Sequence, residues 1–330
     1  MDTAPLGRFG LRVGRIAIGT ATFGSKHDVD QSMRLLDAAV DRGVNLVDTS
    51  DNYPMPPLSQ PVGTAESIVG RWLDRRPRPD VVVASKCGHV TSATGGAATG
   101  SRKYVIESCE ASLRRLGRDH VDIYYLHRPD LGAPMDETLA AVDVLHRQGK
   151  VHYFGLSNFS AWQVAVVLQE IAGRGYMPVA ALEPRFNLLA RNPERDLLPL
   201  ATALGIGVIP YNPVAAGVLA GRFTRDAAAG PASRFGIGGQ TYRDRYWSDA
   251  AFTVADAVGR VADALGASPA QVAVAWLLRQ DVVTSVLAGV SSVEQLDDLV
   301  GAFGVHLEDE HLSLLDTVSE PFAYKAGDVR

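Results

Sequence analysis

Cysteine is almost missing from this chain: Cys87 and Cys109 are the two it has in 330 residues. Two thiols build neither a disulfide framework nor a cysteine-ligated metal centre. Long apolar runs are missing as well, and none approaches the ~18 residues of a membrane span. The opening M-D-T-A-P-L-G-R lacks the apolar core of a signal peptide. No tract carries one sign of charge; 32 basic and 37 acidic residues are mixed along the length, for a net charge of -5. Such mixing leaves no footprint for nucleic acid or an anionic lipid surface. We therefore expect a cytoplasmic protein with neither a membrane nor a nucleic-acid partner. Oligomeric state is not legible.

What is present is apolar residue in quantity, 46% of the chain against 21% charged, enough for a large core. The length suits a (β/α)8 barrel of ~250 residues with insertions, here one domain over residues 1–330. Residues 5–24 read as a small hairpin and then a strand at 16–18. Seven more short apolar runs follow, at 45–48, 81–86, 121–127, 152–157, 179–183, 207–211 and 284–288. Between them lie segments with apolar residues at helical spacing, at 30–42, 64–75, 102–116, 136–148, 160–172 and 194–204. Helices at 250–265, 269–279, 293–302 and 309–318 complete the pattern. Ser160 is positioned to cap the fifth helix, and T-A-E at 64–66 reads as a capping signal.

Runs of four to seven apolar residues fit strands buried on both faces, which is the parallel case. A doubly wound sheet shares the strict alternation, but it expects G-x-G-x-x-G after its first strand. This chain has G-T-A-T-F-G there, so the alternation predicts a (β/α)8 barrel with an N-terminal hairpin. Two long insertions, at 88–100 and 212–249, follow strands three and seven and so lie on the face where barrel active sites are built. The first is rich in Gly, Ala and Thr and reads as a mobile loop.

Chemistry-bearing residues gather at strand ends. Asp48 ends the second strand, with Tyr53 five residues on; Lys86 ends the third and His127 the fourth. Each alone has a plain structural explanation: a helix cap, a solvated charge, a turn residue. All four at successive parallel strand ends would converge. A phenol with a pKa of ~10 is a poor acid at neutral pH, and an ammonium beside it lowers that value. Lys86 supplies the ammonium, Asp48 holds it, and a neutral His127 donates to a substrate oxygen. Such a group protonates an oxygen as charge develops on it, as carbonyl reduction by a hydride donor requires.

These residues stand in recognisable motifs: G-V-N-L-V-D-T-S-D-N-Y (43–53), V-V-V-A-S-K (81–86), S-L-R-R-L-G-R-D-H-V-D-I-Y-Y-L-H (112–127), G-K-V-H-Y-F-G-L-S-N-F (149–159), G-I-G-V-I-P-Y-N-P-V-A-A-G (205–217) and G-V-S-S-V-E-Q-L (289–296). Over nearly its full length the chain resembles the aldo-keto reductase superfamily. The resemblance implies a barrel that reduces a small-molecule carbonyl with NADPH or, in some members, NADH. It implies a catalytic tetrad of Asp48, Tyr53, Lys86 and His127, with Tyr53 as general acid. It assigns cofactor contacts to Thr20, Ala21, Asp48, Ser157, Asn158 and Tyr211, to Asn212, Pro213 and Val214 over the pyrophosphate, and to Ser291 and Gln295 near the adenosine.

The chain also departs from the family pattern. Glu183 stands where Gln is usual, and a fixed carboxylate there would tilt binding toward NADP+. Leu299 replaces an Asn that contacts adenine, with Asp298 beside it as a substitute, and Pro54 follows Tyr53 where Gly is common. Arg222 and Arg234 match basic positions suited to a 2′-phosphate, which favours NADPH. Tyr246 and Trp247 read as anchors for the loop after strand seven, and Cys87 as a packing residue. His89, His120, His146 and His152 show no ligand spacing. The substrate pocket is expected from residues 54–63, 88–100, 128–134 and 222–245. An NADPH-binding regulatory subunit like the potassium-channel β-subunits is the rival reading. Those tend to lack the tetrad His, which this chain keeps. A barrel gripping a sugar phosphate at strands seven and eight would need a glycine-rich loop there, and G-V-S-S is a partial match.

Overall fold

A computed structural model describes residues 2–55, 61–75, 78–89, 99–225, 230, 233–237 and 239–323. The hairpin is β1 (Thr3–Pro5) with β2 (Arg12–Gly14), paired antiparallel. Eight parallel strands follow: β3 (Ile16–Gly19), β4 (Leu46–Asp48), β5 (Val82–Cys87), β6 (Val121–Leu126), β7 (Val151–Ser157), β8 (Val179–Glu183), β9 (Gly207–Val208) and β10 (Val286–Ala288). Their hydrogen-bonded order runs β10-β3-β4-β5-β6-β7-β8-β9. Parallel bridges Val208–Val283 and Tyr211–Leu287 join the two end strands, so the sheet curls round on itself as a (β/α)8 barrel.

The reason lies in the two-sided burial of these runs. Alternate residues point to opposite faces of a strand. In this sheet one set, including Ala17, Leu46, Val82, Ile123 and Ala181, fills the barrel interior. Leu6 and Val13 of the hairpin join that inner cluster and plug its floor. Gly7 permits the plug: a Cβ there would meet the Gly205 carbonyl oxygen at 2.3 Å. The other set, such as Ile16, Val47, Val83 and Phe154, packs outward under the helices. Those helices are α1 (Val29–Asp41), α2 (Thr64–Arg75), α3 (Arg102–Leu116), α4 (Met135–Arg147), α5 (Ala161–Arg174), α6 (Leu197–Leu204), α7 (Arg234–Ile237), α8 (Gly239–Tyr246), α9 (Asp249–Leu265), α10 (Pro269–Leu278), α11 (Val293–Val300) and α12 (Asp309–Ser319). Ser160 does cap α5, in a reciprocal box with Gln163.

Three expectations are corrected. Glu66 does not cap α2; it is fully buried, accepting from Ser85 Oγ and Arg115 Nε, each at 2.6 Å, and so ties α2 to β5 and α3. The seventh strand stops at Val208 because Pro210 has no N–H for the ladder. The insertion at 212–249 is not bare loop but carries α7 and α8. Of the insertion at 88–100, positions 90–98 lie outside the described residues, as do 56–60 of the segment after Tyr53. Among the described residues, no single helix is long and apolar enough to cross a membrane.

Candidate active site

Parallel register sets the site. Asp48 at the end of β4 pairs with Ala84, Lys86 with Tyr125, and Ser157 with Glu183. The carboxyl ends of four strands therefore deliver Asp48, Lys86, His127 and Glu183 to one point. Lys86 is fully buried and its ammonium donates to Asp48 Oδ1 and, at 3.2 Å, to the Thr49 carbonyl. Glu183 Oε2 lies 3.4 Å from the same nitrogen. That nitrogen also lies 5.5 Å from the Tyr53 ring centre and 5.7 Å from that of Tyr125. Tyr53 and His127 meet edge to face, with centroids 5.9 Å apart. The four residues singled out at strand ends are in contact range.

Tyr125 can reach inward because Gly155 lies opposite it on β7. A Cβ on Gly155 would meet the Tyr125 ring at 2.3 Å. Two strained or left-handed turns border the same space. Asn158 and Asn212 have φ of 61° and 64°, which Asn tolerates, but Ala215 and Ala216 also have positive φ, at 47° and 59°.

Electrostatics follow from burial. Burial alone would lower the Lys86 pKa, but Asp48 and Glu183 outweigh it and hold the ammonium charged. Burial raises Asp48, against the pull of Lys86. Glu183 is driven well above the carboxylate range, first by burial and then by Asp48. His127 is held neutral, first by burial and then by Lys86, with His89 and Arg128 acting in the same direction. Tyr53 corrects the sequence expectation. Burial raises its pKa, and the lowering by Lys86 is opposed by Asp48 and Glu183. The phenol thus keeps its proton at neutral pH, as an acid must before it acts.

Behind these residues is a polar layer for which strand-end reasoning had no signal. Ser50 Oγ is fully buried, 3.1 Å from His127 Nδ1 and 2.6 Å from Asn52 Oδ1. For Nε2 to donate to a substrate oxygen, the neutral ring carries its proton there and Nδ1 accepts the single Ser50 hydroxyl proton. Asp51 accepts from Tyr104 Oη at 3.0 Å and Ser108 Oγ at 2.8 Å. Burial still pushes its pKa up to about 6.

Above the tetrad opens a cavity of about 510 Å³, in the size range of cofactor sites. Tyr53, His127 and Asp48 line one end, whereas Lys86 lies behind the wall. Ala21, Ser157, Asn158, Glu183 and Tyr211 line the middle, with Asn212, Pro213 and Val214 along one side. Arg222, Ser291, Gln295 and Asp298 line it as well. Asn158 is fixed from both sides: its Nδ2 donates to the His127 carbonyl at 2.9 Å, and its Oδ1 accepts from Tyr211 Oη at 2.7 Å. Thr20 is fully buried, its hydroxyl donating to the Asp48 carbonyl at 3.0 Å, and lies outside the lining. The side chain of Arg234 lies outside the described residues.

Comparison with known proteins agrees with this geometry. The family model for the Aldo/keto reductase family matches residues 15–320. The chain belongs to the aldo/keto reductase family. An uncharacterized oxidoreductase, YrpG of Bacillus subtilis (strain 168), is 32% identical over 324 residues, covering 96% of each chain. A probable voltage-gated potassium channel subunit beta of Arabidopsis thaliana is 33% identical over 314 residues, covering 92% of each. The L-glyceraldehyde 3-phosphate reductase of Escherichia coli (strain K12) is 32% identical over 304 residues, covering 90% of this chain and 86% of its own.

Within this aldo/keto reductase the cavity contains residues that sequence reasoning passed over. Lys26 lines it and donates to Ser291 Oγ at 2.8 Å, across a separation of 265 residues that β3–β10 pairing closes. Tyr242 and Arg245 of α8 line it too, as does His89. Tyr246 and Trp247 instead anchor the insertion, Tyr246 buried and Trp247 packed on Phe223, Phe235 and Phe252. Cys87 is buried, with its thiol pKa raised by that burial, and so is a packing residue. His120 and His152 stack at the start of β6 and β7, with Arg118 bonded to His120 at 2.9 Å.

Proposed function

We propose that this oxidoreductase is an NADPH-dependent reductase of an aldehyde or ketone, with Tyr53 as general acid. One observation carries the reading: a protonated phenol and a neutral imidazole share a cavity wall directly over a buried ammonium. A nicotinamide cofactor, when bound, supplies the hydride.

The lining suits that group. Asn158 and Ser157 are polar and held in place, and Glu183 beside them also lines the cavity, with a buried carboxyl group. The Tyr211 ring lines the space between them and the Asn212–Val214 side. Lys26, which donates to Ser291 Oγ, and Arg222 both line the cavity, and two cations in its lining favour a 2′-phosphate, hence NADPH over NADH.

The chemistry of the chain's own residues follows. His127 Nε2 and Tyr53 Oη both reach a carbonyl oxygen at the cavity end. As negative charge develops on that oxygen, Tyr53 gives up its proton, and Lys86 attracts the charge left on the phenolate. Asp48 holds Lys86 in place and keeps it charged. The walls of the substrate end include Arg128, Arg245 and His89. The charge of the two arginines, with a phosphorylated aldehyde in the name of one relative, supports a small polar carbonyl as substrate.

A panel of aldehydes, ketones and keto-sugars assayed with NADPH and with NADH tests the reading. Turnover with preference for NADPH is the expected result. Tight cofactor binding without turnover of any carbonyl would contradict it and favour a regulatory, nucleotide-holding subunit.

A further inference from the structure

Glu183 introduces a second carboxyl group into the tetrad. It is 3% exposed, lines the cavity, and places Oε2 3.4 Å from the Lys86 ammonium. That ammonium already serves Asp48 and the Thr49 carbonyl. Two carboxyls therefore compete for one cation out of water. With both ionised, the cluster carries an uncompensated negative charge; with one protonated, it is neutral.

The groups that face Glu183 come from every element around it: Asp48 from β4, Lys86 from β5, Tyr125 from β6, Tyr53 from the loop after β4, and Tyr211 beyond β9. Of these, Lys86 alone is cationic. The phenols keep their protons, so nothing among them neutralises a second carboxylate.

We propose that Glu183 holds a proton in the free enzyme and releases it when the oxidised, cationic nicotinamide binds, whereas the reduced, neutral ring binds with the proton in place. The proposal rests on reading the cavity as a nicotinamide site. Beside a neutral ring, a carboxylic acid keeps the cluster uncharged and can donate to a carboxamide oxygen, as an amide would. Beside a cationic ring, the second carboxylate balances the added charge, and its proton passes to solvent. Burial and Asp48, which drive the Glu183 pKa upward, act in the same direction. The fixed tilt toward NADP+ expected from a permanent carboxylate thereby becomes dependent on pH. Oxidised-cofactor affinity rises with pH by up to roughly tenfold per unit, between the Glu183 pKa in that complex and in the free protein. Reduced-cofactor affinity does not rise.

Isothermal titration calorimetry of the full-length protein in phosphate and in Tris counts the protons released. NADP+ and NADPH are each titrated into wild type and into Glu183→Gln, with Glu183→Met as a second variant. The 2′-phosphate contributes alike to both forms and cancels in their difference. The expected result is about one more proton released by NADP+ than by NADPH in wild type, and no difference in either variant. Equal counts in wild type, or a difference that survives in the variants, overturn the proposal. Failure of both forms to bind would overturn the nicotinamide reading itself, and the proposal with it.

Discussion

Ser50 Oγ, fully buried, sits 3.1 Å from His127 Nδ1, close enough to donate its proton to that nitrogen. The contact fixes the imidazole plane and leaves Nε2 for the substrate. Replacing Ser50 with Ala frees the ring and strands a buried nitrogen without a partner. We predict a fall in kcat/KM of roughly 10- to 100-fold, the range for losing a residue that orients a functional imidazole. Cofactor affinity is unchanged. Steady-state kinetics beside cofactor fluorescence titration distinguish this from general damage, which would weaken both.

Asp51 gives a pH signature in stability. Burial raises its folded pKa to about 6, above the ordinary ~3.9 of an unfolded chain. A raised carboxyl binds its proton more tightly in the folded state, so its contribution is full below pH ~4 and is lost as pH climbs through about 6. The loss is on the order of 3 kcal/mol. Asp51→Asn keeps an oxygen for Tyr104 and Ser108 but cannot titrate. Denaturant unfolding from pH 4 to 7 should show a wild-type decline across this window that the variant flattens.

Gly155 sets the depth of Tyr125. In Gly155→Ala, the Cβ lands 2.3 Å from the present ring position, and the ring moves toward Lys86 or the strands part. Overpacking of this kind costs about 1–3 kcal/mol. Both stability and kcat should fall, and a Tyr125→Leu change in the same chain should restore stability by making room. A wild-type unfolding midpoint in Gly155→Ala alone would contradict the packing argument.

Lys26 and Arg222 bear on cofactor choice. Lys26→Ala or Arg222→Ala should weaken NADPH by roughly 10-fold or more, the scale of one charge-assisted contact, and leave NADH untouched. Binding isotherms for both cofactors measure it. Equal losses for the two would remove these residues from the 2′-phosphate.

The convergence of Asp48, Tyr53, Lys86 and His127 is legible in sequence because each sits at or near the end of a buried apolar run, and parallel pairing brings such ends together. The barrel was legible for the same reason: runs such as 81–86 and 121–127 bury on both faces and must be sheet interior. What escaped depends on distances that only closure creates. Glu66 reads as a cap until the fold brings up Ser85 and Arg115, 19 and 49 residues away. Lys26 meets Ser291 because the last strand pairs with the first. The direction of the Tyr53 pKa is not legible in sequence, which shows Lys86 nearby but not the burial and the second carboxylate that oppose it. Helices α7 and α8 were hidden by glycines at 236, 238 and 239, which weaken the helical pattern.

The account stands most directly on Tyr53 as proton donor. Tyr53→Phe removes the hydroxyl and retains the buried ring. Oxidation of NADPH is followed by loss of reduced-nicotinamide absorbance, with cofactor affinity measured in parallel. The account predicts a fall in kcat of roughly 10²–10⁴-fold with affinity for NADPH preserved. Undiminished carbonyl turnover in Tyr53→Phe would contradict it.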